Sequence, residues 1–333
     1  MPNDYGKSDV PGSLVISLDF ELHWGVCDHL TVDEYRANLL GAREAIPAML
    51  ALFAERAIHA TWATVGFLFF DRRAALLDAL PSQRPTYTVP RLSSYEWLPA
   101  VGDDERADPF HFGRSLLEQI RKTPHQEIAT HTFSHYYCLE RGQTPDQFRA
   151  DLRAARSAAE TLGVALTSIV FPRNQMAREH LDVCAELGIH VYRGNERSWL
   201  YRPTTREDRG LLRRALRLAD TYLNLSGHHA TRATLVPPNL VDVAASRFLR
   251  PYSPRLRRFE QLKLRRITQS MTHAAQRGLT YHLWWHPHNF GVHLAENLRM
   301  LSSILDHFSS LSAQHGMRSR TMSELATERL AAG

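Results

Sequence analysis

Short apolar segments alternate with longer amphipathic segments along almost the whole chain. The apolar segments have the length and composition of buried strands, whereas the amphipathic ones repeat apolar residues every three or four positions, as helices do. The predicted strands span residues 14–20, 58–65, 126–130, 166–171, 189–192 and 279–285. The predicted helices span residues 32–56, 67–80, 111–121, 145–162, 177–187, 207–219, 254–277 and 292–309. This alternation predicts an α/β fold with a parallel sheet, either open or closed into a barrel.

Two segments interrupt the alternation. Residues 81–110 are rich in proline, and residues 194–253 mix one helix with loops. We interpret both as insertions on the face of the sheet that carries the site. No change in composition marks a domain boundary. We therefore expect a flexible N-terminus over residues 1–12 and a single domain over residues 13–328.

The composition is that of an ordinary globular enzyme. Of the 333 residues, 44% are hydrophobic and 23% are charged, and no uninterrupted apolar run reaches the length of a membrane span. The first residues lack the basic and then apolar layout of a signal peptide, so we expect a cytoplasmic protein. The three cysteines form no CxxC pair, which indicates reduced thiols rather than a disulfide framework.

The net charge of +5 is carried almost entirely by arginine. A nucleic-acid-binding protein concentrates its basic residues in one patch with aromatic residues between them, whereas here they are dispersed, so we expect no nucleic-acid partner. The densest basic cluster, residues 247–266, leaves two interpretations open. It is either a solvated helix face, or a surface that meets an anionic membrane or a phosphate-bearing lipid.

Two histidines four residues apart, His131 and His135, follow the short predicted strand 126–130. One helical turn would place both imidazoles on the same side, close enough to bind one divalent metal ion. Such a pair also occurs by chance on exposed helices. Its position at the end of a strand favours a metal site, because ligand sites of α/β proteins collect there.

The first predicted strand ends in two carboxylates, Asp19 and Glu21. Side chains alternate along a strand, so both project from one face while Phe20 packs away from them. An unpaired carboxylate is costly to bury, whereas a nearby dication stabilises it. One carboxylate can therefore bind the metal ion and the other can act on the water that the ion activates. We expect Trp24, slightly further along, to lie at the rim of the pocket.

The predicted strand 279–285 leads directly into another polar cluster. His286 stands at the end of this strand, just before a proline, and is a candidate for a group at the site. His288 and Asn289 are candidate substrate contacts. His282 lies within the strand, and we expect it to be a core histidine with satisfied hydrogen bonds.

Arg173 follows the predicted strand 166–171. A guanidinium near Asp19 would keep that carboxylate ionised and fix its orientation, and we expect Arg173 to do so. A simply solvated arginine is the alternative in a chain this rich in arginine.

Taken together and in this order, these clusters resemble the polysaccharide deacetylase family, the NodB-homology carbohydrate esterases. The resemblance covers about residues 14–325. It implies a distorted (β/α) barrel of about seven strands with loop and helical insertions. It also implies that Asp19 is the catalytic base, that His131 and His135 bind the metal ion, and that His286 is the general acid.

Three further roles come from the same resemblance. The usual first motif has two adjacent aspartates, and here Phe20 stands in the second place. By comparison with family variants of wider spacing, Glu21 is the third metal ligand. Pro172-Arg173 matches the arginine motif, and Trp199 is the expected wall of the pocket.

The resemblance implies a metal-dependent hydrolase that removes an N-acyl group, most often acetyl, from an amino sugar. The expected cofactor is Zn²⁺, with Co²⁺, Mn²⁺ and Ni²⁺ as alternatives. A cytoplasmic enzyme would meet nucleotide-linked or lipid-linked sugars of cell-surface glycan synthesis, in contact with the membrane or free of it. Two other functions stay open, namely hydrolysis of a non-sugar C–N bond such as a cyclic amide or ureide, and glycan binding without catalysis. The oligomeric state is not predicted.

Overall fold

A ten-stranded sheet forms the centre of the computed structural model, which describes residues 10–201 and 211–331. The predicted flexible N-terminus falls almost wholly outside the described residues. The strands are β1 (Ser13–Phe20), β2 (Ala60–Thr64), β3 (Gln126–Thr130), β4 (Ser168–Ile169), β5 (Val191–Tyr192), β6 (Thr234–Val236), β7 (Leu240–Asp242), β8 (Arg247–Phe248), β9 (Thr280–Trp285) and β10 (Arg318–Arg320).

The strand order is β6-β7-β5-β4-β3-β2-β1-β9-β8, and β10 pairs with the start of β1. Within this order only β6 and β7 are antiparallel. The parallel-dominated sheet curls into a half-barrel, which confirms the predicted α/β class and barrel-like fold. Because the carboxyl ends of parallel strands lie at one edge, residues that follow β1, β3, β5 and β9 are brought together there.

Ten helices surround the described part of the sheet. They are α1 (Val32–Glu55), α2 (Arg73–Asp78), α3 (Arg114–Lys122), α4 (Pro145–Glu160), α5 (Arg178–Glu186), α6 (Leu211–Tyr222), α7 (Glu260–Arg277), α8 (Pro287–Phe290), α9 (Leu294–His315) and α10 (Met322–Ala331). Capping boxes start two of them, with Thr31 and Thr144 accepting a hydrogen bond from the backbone three residues on. These starts agree closely with the predicted helices 32–56 and 145–162.

The two predicted insertions differ in structure. Residues 81–110 contain two short 3-10 helices, Pro90–Leu92 and Ser94–Ala100. Residues 194–253 contain α6 and also β6, β7 and β8, three strands that are absent from the prediction. Strands of two or three residues are too short to show an alternating pattern, and pairing with β5 and β9 stabilises them. Residues 202–210 lie outside the described residues.

The inside of the half-barrel is filled by small apolar side chains. They come from the inward-facing positions of the strands and from α10, which closes the end of the barrel opposite the site: Val15, Ala63, Ala129, Val170, Val191, Val241, Val243, Met322 and Ala326. The opposite face of β1, with Leu14, Ile16 and Leu18, packs under the helices. Ser17 and Asp19 alternate with these residues and therefore share the inner face with Val15.

The long helix α1 packs against the short helix α8 that follows β9. At the crossing, a Cβ atom on Gly41 would lie 2.4 Å from the backbone of Gly291, so only glycine permits this approach. Asn38 also donates a hydrogen bond to the carbonyl of His288. These contacts hold α8 in place, and with it His286 and His288, which follow β9.

By length and composition, α1 is also able to cross a membrane. Its most apolar window has a mean hydropathy of 1.2, and 44% of that window is buried in the protein. A helix that packs on a soluble core passes the same test, and α1 contributes Leu39, Ile46, Met49 and Phe53 to the core.

Gly41→Val should lower the free energy of unfolding by about 1–3 kcal/mol, the usual cost of overpacking a tight contact. The matched control is Ala51→Val on the exposed side of the same helix, where the β-branched side chain should cost about 0.5 kcal/mol or less through helix propensity. Urea unfolding measures both, and equal losses would contradict a steric role for Gly41.

Candidate active site

The carboxyl edge of the sheet holds a cavity of about 210 Å³. Residues at or just beyond the ends of four strands line it, so it is assembled from distant parts of the sequence. The lining residues are Asp19, Glu21, Gly25, His131, His135, Arg173, Asn174, Trp284 and His286. Most of the predicted site residues are therefore brought together.

Three of these residues form a compact set of metal-binding groups. One Glu21 carboxylate oxygen lies 3.3 Å from Nε2 of His131 and 3.1 Å from Nε2 of His135. One ligand atom from each residue falls within 4.8 Å of the others, and all three side chains are buried. Two imidazoles and one carboxylate are a donor set found in catalytic zinc sites.

The hydrogen bonds of His131 show that this arrangement fits a cation. Its Nδ1 lies 2.8 Å from the carbonyl of Val170, which can only accept, so Nδ1 carries the hydrogen. In the neutral ring, Nε2 then points a lone pair at the Glu21 carboxylate, which also only accepts. Either a proton on Nε2 or a metal ion between the two groups resolves this conflict, and the Val170 carbonyl supplies the outer contact that orients a ligating histidine.

His131 and His135 do not lie on a helix, so the predicted helical turn is wrong. Thr132 and His135 have positive φ angles of 65° and 58°, and the segment is an irregular loop. Asp151 of α4 holds this loop by accepting hydrogen bonds from the backbone amides of Phe133 and Ser134. The loop, rather than helical periodicity, brings the two imidazoles to one point.

Gly25 leaves the space in which the Glu21 side chain lies. A Cβ atom on Gly25 would come within 2.0 Å of the Glu21 carboxyl group. Burial alone would raise the pKa of Glu21, but His286 and the two metal-site histidines outweigh it and hold the pKa well below its usual range. Glu21 therefore lies in a fixed place, and its surroundings favour the ionised carboxylate.

Asp19 is held by Arg193, and the expectation that Arg173 holds it is wrong. The Arg193 guanidinium donates to both Asp19 oxygens, at 2.6 and 2.8 Å, and both residues are buried. Burial by itself would raise the pKa of Asp19, but the facing guanidinium lowers it below its ordinary value. Arg173 still lines the cavity, but it pairs with Asp28.

Arg193 is in turn fixed by a chain of hydrogen bonds inside the barrel. It donates to Ser17 Oγ at 3.0 Å, and Ser17 Oγ lies 2.8 Å from Nε2 of His282. Nδ1 of His282 donates to the Val243 carbonyl, and burial lowers the pKa of His282 to about 3. The ring is therefore neutral and accepts from the Ser17 hydroxyl, as predicted for a satisfied core histidine.

His286 lies between the two carboxylates. Its Nε2 is 3.7 Å from Asp19 and 3.5 Å from Glu21, and 23% of its side chain is exposed. Asn289 contacts its other ring nitrogen at 3.3 Å. No described acid contacts that nitrogen.

His288 and Asn289 do not line the cavity. The ring of His288 stacks on His286 with centroids 5.1 Å apart, and Asn289 accepts a hydrogen bond from Tyr35. Both residues therefore contact His286 without lining the cavity.

Comparison with known proteins agrees with this geometry. The family model for polysaccharide deacetylases matches residues 28–192, about half of the chain. The chain belongs to the polysaccharide deacetylase family. The matched segment includes His131 and His135, whereas Asp19, Glu21, Arg193 and His286 lie outside it. No curated protein matches the sequence.

Three solved structures show the same fold at low sequence identity. A protein from Mycobacterium smegmatis classed as a polysaccharide deacetylase has a TM-score of 0.58 and 13% identity, covering 100% of this chain and 95% of its own. A 4-α-glucanotransferase from Thermococcus litoralis has a TM-score of 0.56 and 11% identity. The match covers 96% of this chain and 40% of the glucanotransferase. A GH57-type branching enzyme from Pyrococcus horikoshii has a TM-score of 0.54 and 10% identity. The match covers 95% of this chain and 70% of the branching enzyme.

Two aromatic residues predicted near the site do not line the cavity. Trp24 is completely buried in the core, where its indole nitrogen donates to the carbonyl of His111, so it is not at the pocket rim. Trp199 is 64% exposed and does not line the cavity. The aromatic wall is Trp284, whose ring lies 4.2 Å from the Arg193 guanidinium.

Gly25→Ala should weaken metal binding by at least tenfold, because the new methyl group occupies the place of the Glu21 carboxylate. His131→Ala/His135→Ala should abolish stoichiometric binding. Metal content after dialysis, measured by mass spectrometry, checks both variants, and thermal unfolding confirms that they are folded. Stoichiometric zinc in the double variant would contradict the assignment of the site.

Arg193→Met should lower the free energy of unfolding by about 3–5 kcal/mol at neutral pH, because it leaves the Asp19 charge buried without a partner. Asp19 has a lowered pKa in the folded protein, so the ion pair stabilises above the unfolded pKa of about 3.9 and is lost as the pH falls. The deficit of the variant should therefore shrink towards acid pH.

Arg173→Met is the matched control for this change. Asp28 keeps its contact with His29 after the substitution, and Arg173 is partly exposed, so the deficit should be smaller. Urea unfolding over a pH series measures both variants. Equal and pH-independent losses would contradict the assignment of Arg193 to Asp19.

Proposed function

We propose that this protein is a metal-dependent hydrolase that removes an N-acyl group, most simply acetyl, from an amino sugar. The observation that carries the proposal is the position of His286, within 4 Å of two ionised carboxylates that have different partners. Glu21 faces two imidazoles, whereas Asp19 is held by Arg193. One carboxylate is thus suited to bind a metal ion and the other to accept a proton.

Glu21, His131 and His135 would hold the metal ion, which we propose to be Zn²⁺ from the donor set. Such an ion, when bound, polarises the acyl carbonyl and lowers the pKa of a water molecule. Family membership supports metal dependence in this chain, since polysaccharide deacetylases generally depend on a metal.

Asp19 acts as the general base in this proposal. Its lowered pKa keeps it ionised throughout the neutral range, so it is ready to accept a proton from the water that attacks the acyl carbon. Arg193 occupies both carboxylate oxygens and so fixes the direction in which the proton is accepted. We therefore expect protonation of Asp19 itself to reduce activity only below the usual carboxyl range, whereas protonation of the histidine ligands competes with the metal ion at higher pH.

His286 acts as the general acid. An amine leaves only when it is protonated, and His286 stands beside the base, where it can donate a proton to the leaving nitrogen. Its partial exposure allows it to exchange protons with solvent between turnovers. Phe248 and Trp284 pack around its ring with centroids 5.7 Å away and limit its rotation.

The size of the cavity supports a substrate that extends beyond it. About 210 Å³ is less than the ~300–1,000 Å³ of pockets that enclose whole drug-sized ligands. The acyl group and its sugar would enter while the rest of a glycan, nucleotide or lipid carrier stays outside. We propose a role in cell-surface glycan synthesis at the cytoplasmic side of the membrane.

The deciding experiment is hydrolysis of N-acetylated amino sugars by purified protein, with cyclic amides and ureides assayed in parallel. Asp19→Asn should retain its metal and lose kcat by at least 100-fold, as general-base removal does. His286→Gln should lower kcat far more than it raises KM. Hydrolysis of the cyclic amides alone would refute the sugar assignment, and metal-loaded protein inactive on every substrate would favour glycan binding.

A further inference from the structure

The helix α6 presents an apolar face to solvent, which is the reverse of an ordinary surface helix. Leu212 and Ala215 on this face are exposed, with Leu212 at 75%, and Leu223, which directly follows the helix, is 53% exposed. The charged residues Arg213 and Arg217 instead turn inward and donate to backbone carbonyls of Trp199 and Leu200. No described residue covers the outer face.

A second exposed apolar group adjoins the first. Leu225 is 55% exposed, and Phe259 and Leu262, at the start of α7, are 45% and 39% exposed. The ring of Phe259 contacts Tyr222 of α6 at a centroid distance of 5.7 Å. We call the surface made by these residues and the outer face of α6 the α6–α7 face.

Arginines surround the α6–α7 face. Arg214, Arg255, Arg257, Arg258 and Arg265 are all exposed, and none forms an ion pair with a described residue. Within residues 211–227 and 250–269 the acids are Asp220, which is buried, and Glu260, which pairs with Lys263. Among the described residues, the face therefore combines exposed leucine and phenylalanine with positive charge that no acid pairs with.

The α6–α7 face lies on the same side of the fold as the cavity. The strand β8 ends at Phe248, whose ring contacts His286 of the site, and the chain then runs directly into Arg255–Phe259. On the other side, Trp199 and Leu200 follow β5 and pack against α6. Both segments leave the carboxyl edge of the sheet, where the site is.

We propose that the α6–α7 face docks on an anionic lipid bilayer. Exposed apolar side chains ringed by arginine match the boundary between acyl chains and negatively charged headgroups, to which basic residues are attracted. A nucleic acid would use the arginines but would leave the leucines exposed to water. The docking is independent of the proposed hydrolysis, and together they would hold a lipid-linked amino sugar near the cavity.

Vesicle co-sedimentation of the full chain tests the docking directly. The protein should bind vesicles of phosphatidylcholine mixed with phosphatidylglycerol, bind weakly to pure phosphatidylcholine, and be released by high salt. Arg255→Gln/Arg257→Gln/Arg258→Gln should weaken partitioning by about 100-fold. Leu212→Ser/Leu223→Ser/Leu225→Ser should weaken binding at every salt concentration, because it removes the apolar contribution.

The matched control is Arg121→Gln/Lys122→Gln/Arg153→Gln, which removes the same charge from exposed residues of α3 and α4. It should bind like the parent protein, and circular dichroism should show that all variants are folded. Equal losses in the control and in the Arg255→Gln/Arg257→Gln/Arg258→Gln variant would overturn the proposal, since net charge alone would then explain binding. A concentration-dependent dimer broken by the leucine variant, without vesicle binding, would also overturn it. Metal content and hydrolysis, measured separately, decide the proposed function.

Discussion

The buried ion pair between Asp19 and Arg193 is the interaction on which the rest of the site depends. Each partner would be costly to bury alone, and the bidentate contact joins the end of β1 to the end of β5 across the half-barrel. Once this contact is made, the positions of Ser17 and Asn174 follow, because both contact the same guanidinium. The Asp19 carboxylate can therefore be buried inside the half-barrel only when Arg193 and the polar groups that contact Arg193 are in place.

The two carboxylates at the end of β1, Asp19 within the strand and Glu21 directly after it, are stabilised in different ways. Asp19 is neutralised by a permanent cation of the chain, so its charge is independent of any added ion. Glu21 faces imidazoles, whose own charge varies, and burial lowers the pKa of His135 despite the attraction of Glu21. If Glu21 binds a metal ion as proposed, the loss of that ion would leave Asp19 ionised and held in place by Arg193.

Much of the site follows from rules that act on sequence alone. Alternation along β1 put Asp19 and Glu21 on one side, and the rule that sites collect at strand ends brought in His131, His135 and His286. The choice of arginine did not follow, because Arg173 and Arg193 each come just after a predicted strand. Only the three-dimensional reach of the two guanidinium groups distinguishes them. Trp24 posed a similar problem, since an aromatic residue beyond a strand end suits a pocket rim and a core equally well.

The pairing of β1 with β2 and β9 has a consequence for how the protein acquires function. A shift of one residue would send Asp19 under the helices and bring Leu18 and Phe20 into the barrel, and Glu21, which directly follows the strand, would be displaced with it. A misregistered chain would thus lose both carboxylates at once and bind no metal. Metal uptake during refolding would then report the moment at which the central strand reaches its native alignment, before any assay of catalysis is possible.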